Sequence, residues 1–359
     1  MVRVGIIGCG NISSIYMENL PNFDGIEVVA CADIDIERAK AQAERFQIKK
    51  AYDVEQLLAD ETIDLVINLT IPKVHAQVSI QALEAGKHVY SEKPLAVTRE
   101  DGKRILDIAK SKGRLVGSAP DTFLGAGIQT AIALIDEGEI GTPIGASAAM
   151  LGRGPEHWHP DPEFFYEIGG GPMFDMGPYY LTALVALLGP IKRISGSARI
   201  SYPQREILSQ PKAGKMIDVQ CATHISGTLD FQSGAIATLT TSFDVFGGST
   251  LPPIEVYGSE GTILVPDPNF FGGVVKIRKK DEQEFTDVPL RHAYNGNNRG
   301  LGVVDMVKAI ETGSPFKANG KLAYHVLEAM HGFHDASDQG IYYTMESTCE
   351  RPESALDWE

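Results

Sequence analysis

The sequence is poor in cysteine, in positive charge and in long apolar runs. Its four cysteines, Cys9, Cys31, Cys221 and Cys349, are spread over 359 residues with no C-x-x-C pair. That spacing argues against a disulfide framework and against a thiolate zinc site. Against 47 acidic side chains stand only 32 Lys and Arg, leaving a net charge of −15. A chain so charged has no surplus with which to displace counterions from nucleic acid or to settle on an anionic membrane. An anionic small ligand would need a local positive site, such as a helix N-terminus or one well-placed Lys. No apolar run approaches a membrane span. The strand-like "VRVGIIG" follows directly on the first residue, without a charged and then apolar leader. Together these absences predict a reduced, cytoplasmic, soluble protein without nucleic-acid or membrane partners.

What is present is ordinary globular composition, 43% hydrophobic and 22% charged, at a length that favours two domains. Up to residue 118, β-branched runs ("VRVGIIG", "IEVVACAD", "DLVINLT", "KHVYSEK", "RLVGSAP") alternate with helical patterns at 12–20, 36–46, 54–59, 74–85 and 99–111. Such alternation predicts an α/β domain with a parallel sheet and right-handed crossovers. Thr98 with Asp101 predicts a capping box on the last of these helices. After Pro120 the rhythm changes. A helical pattern at 127–138 precedes a Pro- and aromatic-rich loop at 152–171; strand-like runs fill 191–288, and "FQSGA" and "GSEGT" read as hairpin turns. Helical patterns at 301–312 and 322–340 close the chain. The reading is an α/β domain over 1–120 and an α+β domain with a mostly antiparallel sheet over 121–359.

"VGIIGCGNIS" sets Gly8, Gly10 and Ser13 on the G-x-G-x-x-G pattern, with Ser in the third place. The first glycine allows a tight turn, the second lets backbone approach a pyrophosphate, and the third permits close helix packing. The N–H groups around Asn11 and Ile12 then offer an anion site. Alone, this pattern is an ordinary strand-to-helix turn. Asp33 at the end of the second strand run, about 20 residues on, makes it a dinucleotide fingerprint. A carboxylate there accepts from a ribose 2′-OH and repels a 2′-phosphate by roughly 4 kcal/mol at 4 Å, before screening. NAD is therefore favoured over NADP. Arg38 is the counter-argument, since it can swing to a phosphate; as a solvated helix residue it carries no such role.

Two further segments end strand runs where ligands bind in parallel sheets. "NLTIPKVHA" brings Thr70, Pro72 and His75, and "YSEKPLA" brings Glu92 and Lys93, with Pro94 stiffening the turn. Taken singly, Lys93 is a solvated strand-end residue and His75 a helix-start hydrogen-bonder. In "GGGPMFDMGPYYL", Asp175 and Tyr179 stand four apart, and a continuous helix would turn them to one face. Pro178 inside that stretch predicts a kink or a late start.

The chain resembles the Gfo/Idh/MocA family of sugar and cyclitol oxidoreductases, whose branches include glucose–fructose oxidoreductase and inositol dehydrogenase. The likeness rests on "GIIGCGNIS", "TIPKVH", "LEAGKHVYSEKPLA", "APDTFLGAGIQTA", "HWHPDPEFFYEIGGGPMFDMGPYYL" and "HVLEAM". Its most specific mark is Glu92-Lys93-Pro94. The resemblance implies a doubly wound Rossmann domain, then an open-faced sheet domain that pairs in homodimers or homotetramers. It also implies that Lys93, Asp175 and Tyr179 are catalytic, facing a bound nicotinamide. The family usually has His at the last position, though members similar to glucose–fructose oxidoreductase carry Tyr.

On this reading a sugar or polyol hydroxyl loses hydride to NAD while Tyr179 takes its proton. Lys93 lowers the phenol pKa and stabilises the oxyanion, and Asp175 orients sugar or lysine. Lys93 as the relay, with Tyr179 a binding group, fits equally. Trp158 and His159 are the substrate-loop candidates, along with Lys93, Asp175 and Tyr179. His157 and His159 beside Glu156 and Asp161 are a poor metal signal on a Pro-rich loop, and no metal is expected. Arg299 reads as an exposed helix-start residue. The rival readings are an NAD-using glycosidase or lyase with transient oxidation, and a non-catalytic ligand-sensing regulator on the same fold.

Overall fold

The computed structural model describes residues 1–355. They fall into two compact units: Met1–Thr122 with Asn297–Leu327, and Phe123–Gly296 with the chain from Glu328 onward. The first unit opens with β1 (Val2–Ile7), α1 (Ser13–Asn19), β2 (Ile26–Ala32), α2 (Ile36–Phe46), β3 (Lys50–Tyr52), α3 (Val54–Ala59), β4 (Leu65–Asn68), α4 (Pro72–Glu84), β5 (His88–Ser91), α5 (Arg99–Lys112) and β6 (Val116–Ser118). The strands form one parallel sheet in the order β3-β2-β1-β4-β5-β6. This is a doubly wound Rossmann sheet. Its order reverses between β1 and β4, and ligands lie outside the carboxyl ends of the strands at such a reversal. All of β4 and nearly all of β1 is buried, which is why these strands read as continuous Val and Ile runs. The edge strand β3, "KAY", has no counterpart in the sequence reading: three half-buried residues make no periodic pattern.

Thr98 caps α5, its Oγ1 accepting the Asp101 N–H at 3.1 Å. A reciprocal box forms at α3 instead, where Asp53 and Gln56 each accept the other's backbone N–H. Gln is longer than Asp by a methylene, and that reach is what the returning bond needs.

The second unit holds α6 (Ala126–Asp136), β7 (Pro143–Leu151), α7 (Gly171–Asp175), α8 (Gly177–Leu188), β8 (Ile191–Arg199), β9 (Gln204–Glu206), β10 (Met216–Asp218), β11 (His224–Phe231), β12 (Ile236–Ser242), β13 (Ile254–Gly258), β14 (Gly261–Val265), β15 (Val275–Lys279) and β16 (Thr286–Val288). After them α9 (Leu301–Thr312) belongs to the first unit, α10 (Gly320–Gln339) is divided between the units, and β17 (Tyr343–Thr344) to the second. Nine strands order as β16-β15-β14-β13-β7-β12-β11-β8-β17. Among the described residues, only β7 and β12 of this sheet pair in parallel. Both expected hairpins are present, β11–β12 and β13–β14. One face of the sheet carries Ile225, Leu229, Leu239, Val256 and Ile263 into the core. The other carries hydroxyls paired across strands, Ser195 with Thr228 and Ser226 with Thr240.

The second unit also departs from the sequence reading. The central strand β7, "PIGASAAML", was not foreseen, because Ala, Gly and Ser have low strand propensity. Its Ala146 and Ala148 are buried, in a strand packed by the wholly buried α8. Nor is the stretch 169–181 one helix. Pro178 has no N–H with which to continue α7, so it takes the first turn of α8, where none is needed. Asp175 and Tyr179 therefore sit on successive helices, and the shared face of one continuous helix is absent.

Residues 297–327, read from the sequence as part of the second domain, pack with the first unit. Asp121 ties them there. Its Oδ2 accepts the N–H groups of Gly300 and Gly302 at 2.8 and 3.1 Å, at the start of α9. Asn19 holds the carbonyls of Asn297 and Arg299, and Ser118 N–H donates to Ala318. Burial pushes the Asp121 carboxyl up to about 6, against the pull of the two N–H donors. Between about pH 4 and 6 the native state then binds more protons here than the unfolded chain, so stability falls as pH rises through that window, by up to roughly 3 kcal/mol. Asp121→Asn keeps an acceptor and cannot ionise. Urea midpoints at pH 4.5 and 7.5 should show the variant gaining on wild type as pH rises; a constant difference would refute the linkage.

Candidate active site

A cleft of about 600 Å³ opens at the carboxyl ends of β1, β2 and β4. Gly8, Gly10, Asp33, Arg38 and Thr70, all singled out from the sequence, line it. Gly8 has φ +102°, and a Cβ there would lie 2.6 Å from the Leu69 carbonyl carbon, so only glycine fits. Gly10 is different. A Cβ on it would meet nothing within 4 Å and would project into open space. Ser13, wholly buried in the third glycine's place, folds its hydroxyl back to the Gly10 carbonyl at 2.6 Å. Asn11 and Ile12 form the turn between Gly10 and α1 and are not among the residues lining the cleft.

Asp33 is 6% exposed and accepts the N–H groups of Cys9 (2.8 Å) and Asp35 (3.0 Å). Arg38 is half exposed and pairs with Asp33 at 3.4 Å and Asp35 at 3.9 Å. A carboxylate has about four acceptor directions, which leaves Asp33 room for a ribose hydroxyl. Ile34 and Ile71 are 97% and 63% exposed on the cleft's walls. Apolar side chains left in water at a cleft mark a ligand-contacting surface. Neither was foreseen; the signal was their position directly after Asp33 and Thr70.

The lysine turn lies on the neighbouring strand. Asn68 of β4 pairs with Ser91 of β5, so Thr70 and Lys93 each lie two residues beyond that register pair. Glu92 is buried, accepts the Tyr16 hydroxyl at 2.9 Å, and holds the Lys93 N–H at 3.0 Å. Burial, with Glu92 beside it, raises the Tyr16 pKa well above the ordinary phenol range. His75 is 1% exposed; its two ring nitrogens face the carbonyls of Pro94 (2.7 Å) and Thr70 (2.8 Å), and the neutral ring donates to one of them. Burial lowers its pKa, while the two carbonyls oppose that. It is thus a brace between the cleft wall and the lysine turn. Pro72 occupies the first turn of α4 and is not among the cleft-lining residues.

In the second unit Asp175 ends α7 half-buried, and Tyr179, 7% exposed, lies in the first turn of α8. Trp158 and His159 stand on the loop before α7, Trp158 61% exposed. Glu156 and Asp161, weighed for metal binding, hold cations of the chain instead: Glu156 pairs with Arg205 at 2.5 Å and Asp161 with Lys212 at 2.8 Å. Arg205 is 4% exposed and also pairs with Asp244 at 2.6 Å. Removing one partner from such a buried set typically costs about 3–5 kcal/mol. No sequence motif marked it.

Residues 2–119 match the oxidoreductase family with an NAD-binding Rossmann fold, and residues 128–264 match the GFO/IDH/MocA C-terminal domain. An uncharacterised oxidoreductase of Rhizobium meliloti is 33% identical over 273 residues, 75% of each chain. The chain belongs to the Gfo/Idh/MocA family. The myo-inositol 2-dehydrogenase of Thermotoga maritima is 26% identical over 73% of this chain and 75% of its own. A levoglucosan dehydrogenase in complex with NADH and L-sorbose superposes with a TM-score of 0.84 at 21% identity, over 97% of this chain and 99% of that one.

For this Gfo/Idh/MocA protein the glycine turn is a direct test of fit to NAD. Space left at Gly10, with a clash at Gly8, is what a diphosphate seated against the loop requires. Gly10→Ala should fold with an unchanged melting temperature and bind NADH at least tenfold more weakly by fluorescence titration. Gly8→Ala should lose several degrees of melting temperature before any ligand is added. Equal effects of the two substitutions on stability would contradict the assignment.

Proposed function

We propose that the protein oxidises a hydroxyl of a sugar, sugar derivative or cyclitol, with NAD as the coenzyme. The observation that carries this is the place of His75, whose ring lies between the carbonyl of Thr70, in the dinucleotide cleft, and that of Pro94, the residue after Lys93. Held in the cleft lined by Gly8, Gly10, Asp33 and Thr70, NAD would supply the acceptor for the hydride of the carbinol carbon. The Lys93 ammonium stabilises the developing charge on the substrate oxygen. Tyr179 accepts the hydroxyl proton; a free phenol, with pKa about 10, is a weak base at neutral pH, which makes this role the one the Tyr179→Phe variant tests. Asp175 orients the substrate, Trp158 covers a face of its ring, and His159 bonds one of its hydroxyls. The relatives named for inositol and levoglucosan chemistry support this substrate class. Asp33 supports NAD over NADP.

The hydroxyl-lined sheet face, with Ile236 and Tyr257 exposed on it, supports a homo-oligomer built through that face. The four free thiols support a reducing, cytoplasmic setting. No helix among the described residues is long and apolar enough to cross a membrane. Light scattering should report at least twice the chain mass; a monomer at micromolar concentration would overturn the oligomer.

The decisive experiment is coenzyme reduction, with NAD and NADP, against aldoses, inositols and sugar acids. On the substrate found, Tyr179→Phe and Lys93→Met should each lower kcat at least ~100-fold, the scale of lost acid–base catalysis, with NADH affinity within twofold. Near-normal turnover in Tyr179→Phe removes the phenol from the chemistry and leaves Lys93 as the relay. Copurified coenzyme with no net NADH formed on any substrate would replace this function by transient oxidation.

A further inference from the structure

Between β8 and β11 the chain leaves the nine-stranded sheet. Among the described strands, β9 and β10 pair only with each other, as a separate ribbon. We infer that this excursion, residues 200–222, is a clasp pinned by Arg205, which holds the loop of residues 152–170 in the shape that presents Trp158 and His159 to the substrate. The inference rests on the function proposed above for those two side chains.

The clasp grips the loop along its length. Arg205 Nη2 donates to the Arg153 carbonyl at 2.7 Å, and Nε and Nη2 both reach Glu156 Oε1. The Leu208 and Ser209 N–H groups donate to the Glu156 carbonyl at 2.9 and 3.2 Å, and the Ser209 hydroxyl donates to the His159 carbonyl. Further on, Lys212 pairs with Asp161 and Glu163, and the Gln220 N–H donates to the Tyr166 carbonyl at 2.8 Å.

The pin requires arginine. Arg205 spends its fork on two carboxylates, Glu156 and Asp244, and on the carbonyls of Arg153 and Phe243. Lysine, with one nitrogen, cannot serve four acceptors in those directions. The Tyr166 hydroxyl closes the set by donating to Glu156. Gly154 shows how tightly it is built: its φ is +88°, and a Cβ would fall 2.5 Å from Glu156 Oε2 and 2.8 Å from Arg205 Nη2. The pin itself holds backbone and the buried Glu156, while Trp158 remains 61% exposed. His159 stacks edge-on between Trp158 and Phe165, at 5.3 Å from each. A fixed backbone beneath outward side chains is how a binding group is kept in register.

Trp158 and Trp358 are the two tryptophans, so in a Trp358→Phe background the fluorescence of Trp158 reads the loop directly, with or without substrate. Arg205→Lys keeps the charge and loses the fork. It should raise acrylamide quenching of Trp158 at least twofold and KM for the sugar at least tenfold, with kcat within threefold and NADH affinity within twofold. Lys212→Ala with Lys215→Ala, at solvent-accessible positions that leave the buried pin intact, should shift quenching and KM the same way by less, and serves if Arg205→Lys does not fold. Wild-type quenching in a folded variant overturns the clasp, whatever the kinetics. Raised quenching with an unchanged KM overturns the positioning role and the assignment of Trp158 and His159 to substrate.

Discussion

The first unit depends on the close approach of backbone at Gly8. There the end of β1 lies against the Leu69–Thr70 peptide with no room for a side chain. Because the turn is so tight, the next N–H, that of Cys9, points into Asp33 at the end of β2. These two contacts tie the ends of three strands, β1, β2 and β4, and leave beyond them the space that Gly10 faces. The cleft is a consequence of that approach: its floor is the glycine turn, one wall is the acid and Ile34, and the other is Thr70 and Ile71.

A strongly acidic chain must decide where its buried carboxylates find partners, and two arrangements serve. In the first, Asp33 and Asp121 are satisfied chiefly by backbone N–H groups, and Glu92 by a tyrosine hydroxyl and its neighbour's N–H. Such donors hold an acid by hydrogen bonds to the charged form, which lets it stay ionised while buried. In the second, Glu156 and Asp244 share one cation, Arg205. A paired ion set is rigid, since every member left alone would be an uncompensated buried charge. The first arrangement suits a binding cleft, and the second suits a brace.

The site was legible where chemistry is local. Gly8, Gly10 and Asp33 announce themselves by spacing, and all three line the cleft. Glu92-Lys93-Pro94 marks the strand-end turn, and His75, read as a hydrogen-bonder at a helix start, is one. Pro178 signalled an interrupted helix, although the break between Asp175 and Tyr179 was not placed. Arg205 was invisible: it sits far along the chain from Glu156 and Asp244, in a short ribbon with no motif, and nothing local distinguishes a buried arginine from a solvated one.

Sequence by itself determined the alternating α/β half, the sheet-rich half, the hairpins and the dinucleotide fingerprint. These follow from periodicity, turn residues and fixed offsets, all of which act over a few residues. Tertiary structure alone decided the rest. Ala146 and Ala148 lie in a central strand because they are covered by a buried helix, and residues 297–327 return to the first unit because Asp121 caps α9 from nearly two hundred residues away. Burial and long-range capping depend on which segments meet in space, and no short-range pattern encodes that meeting.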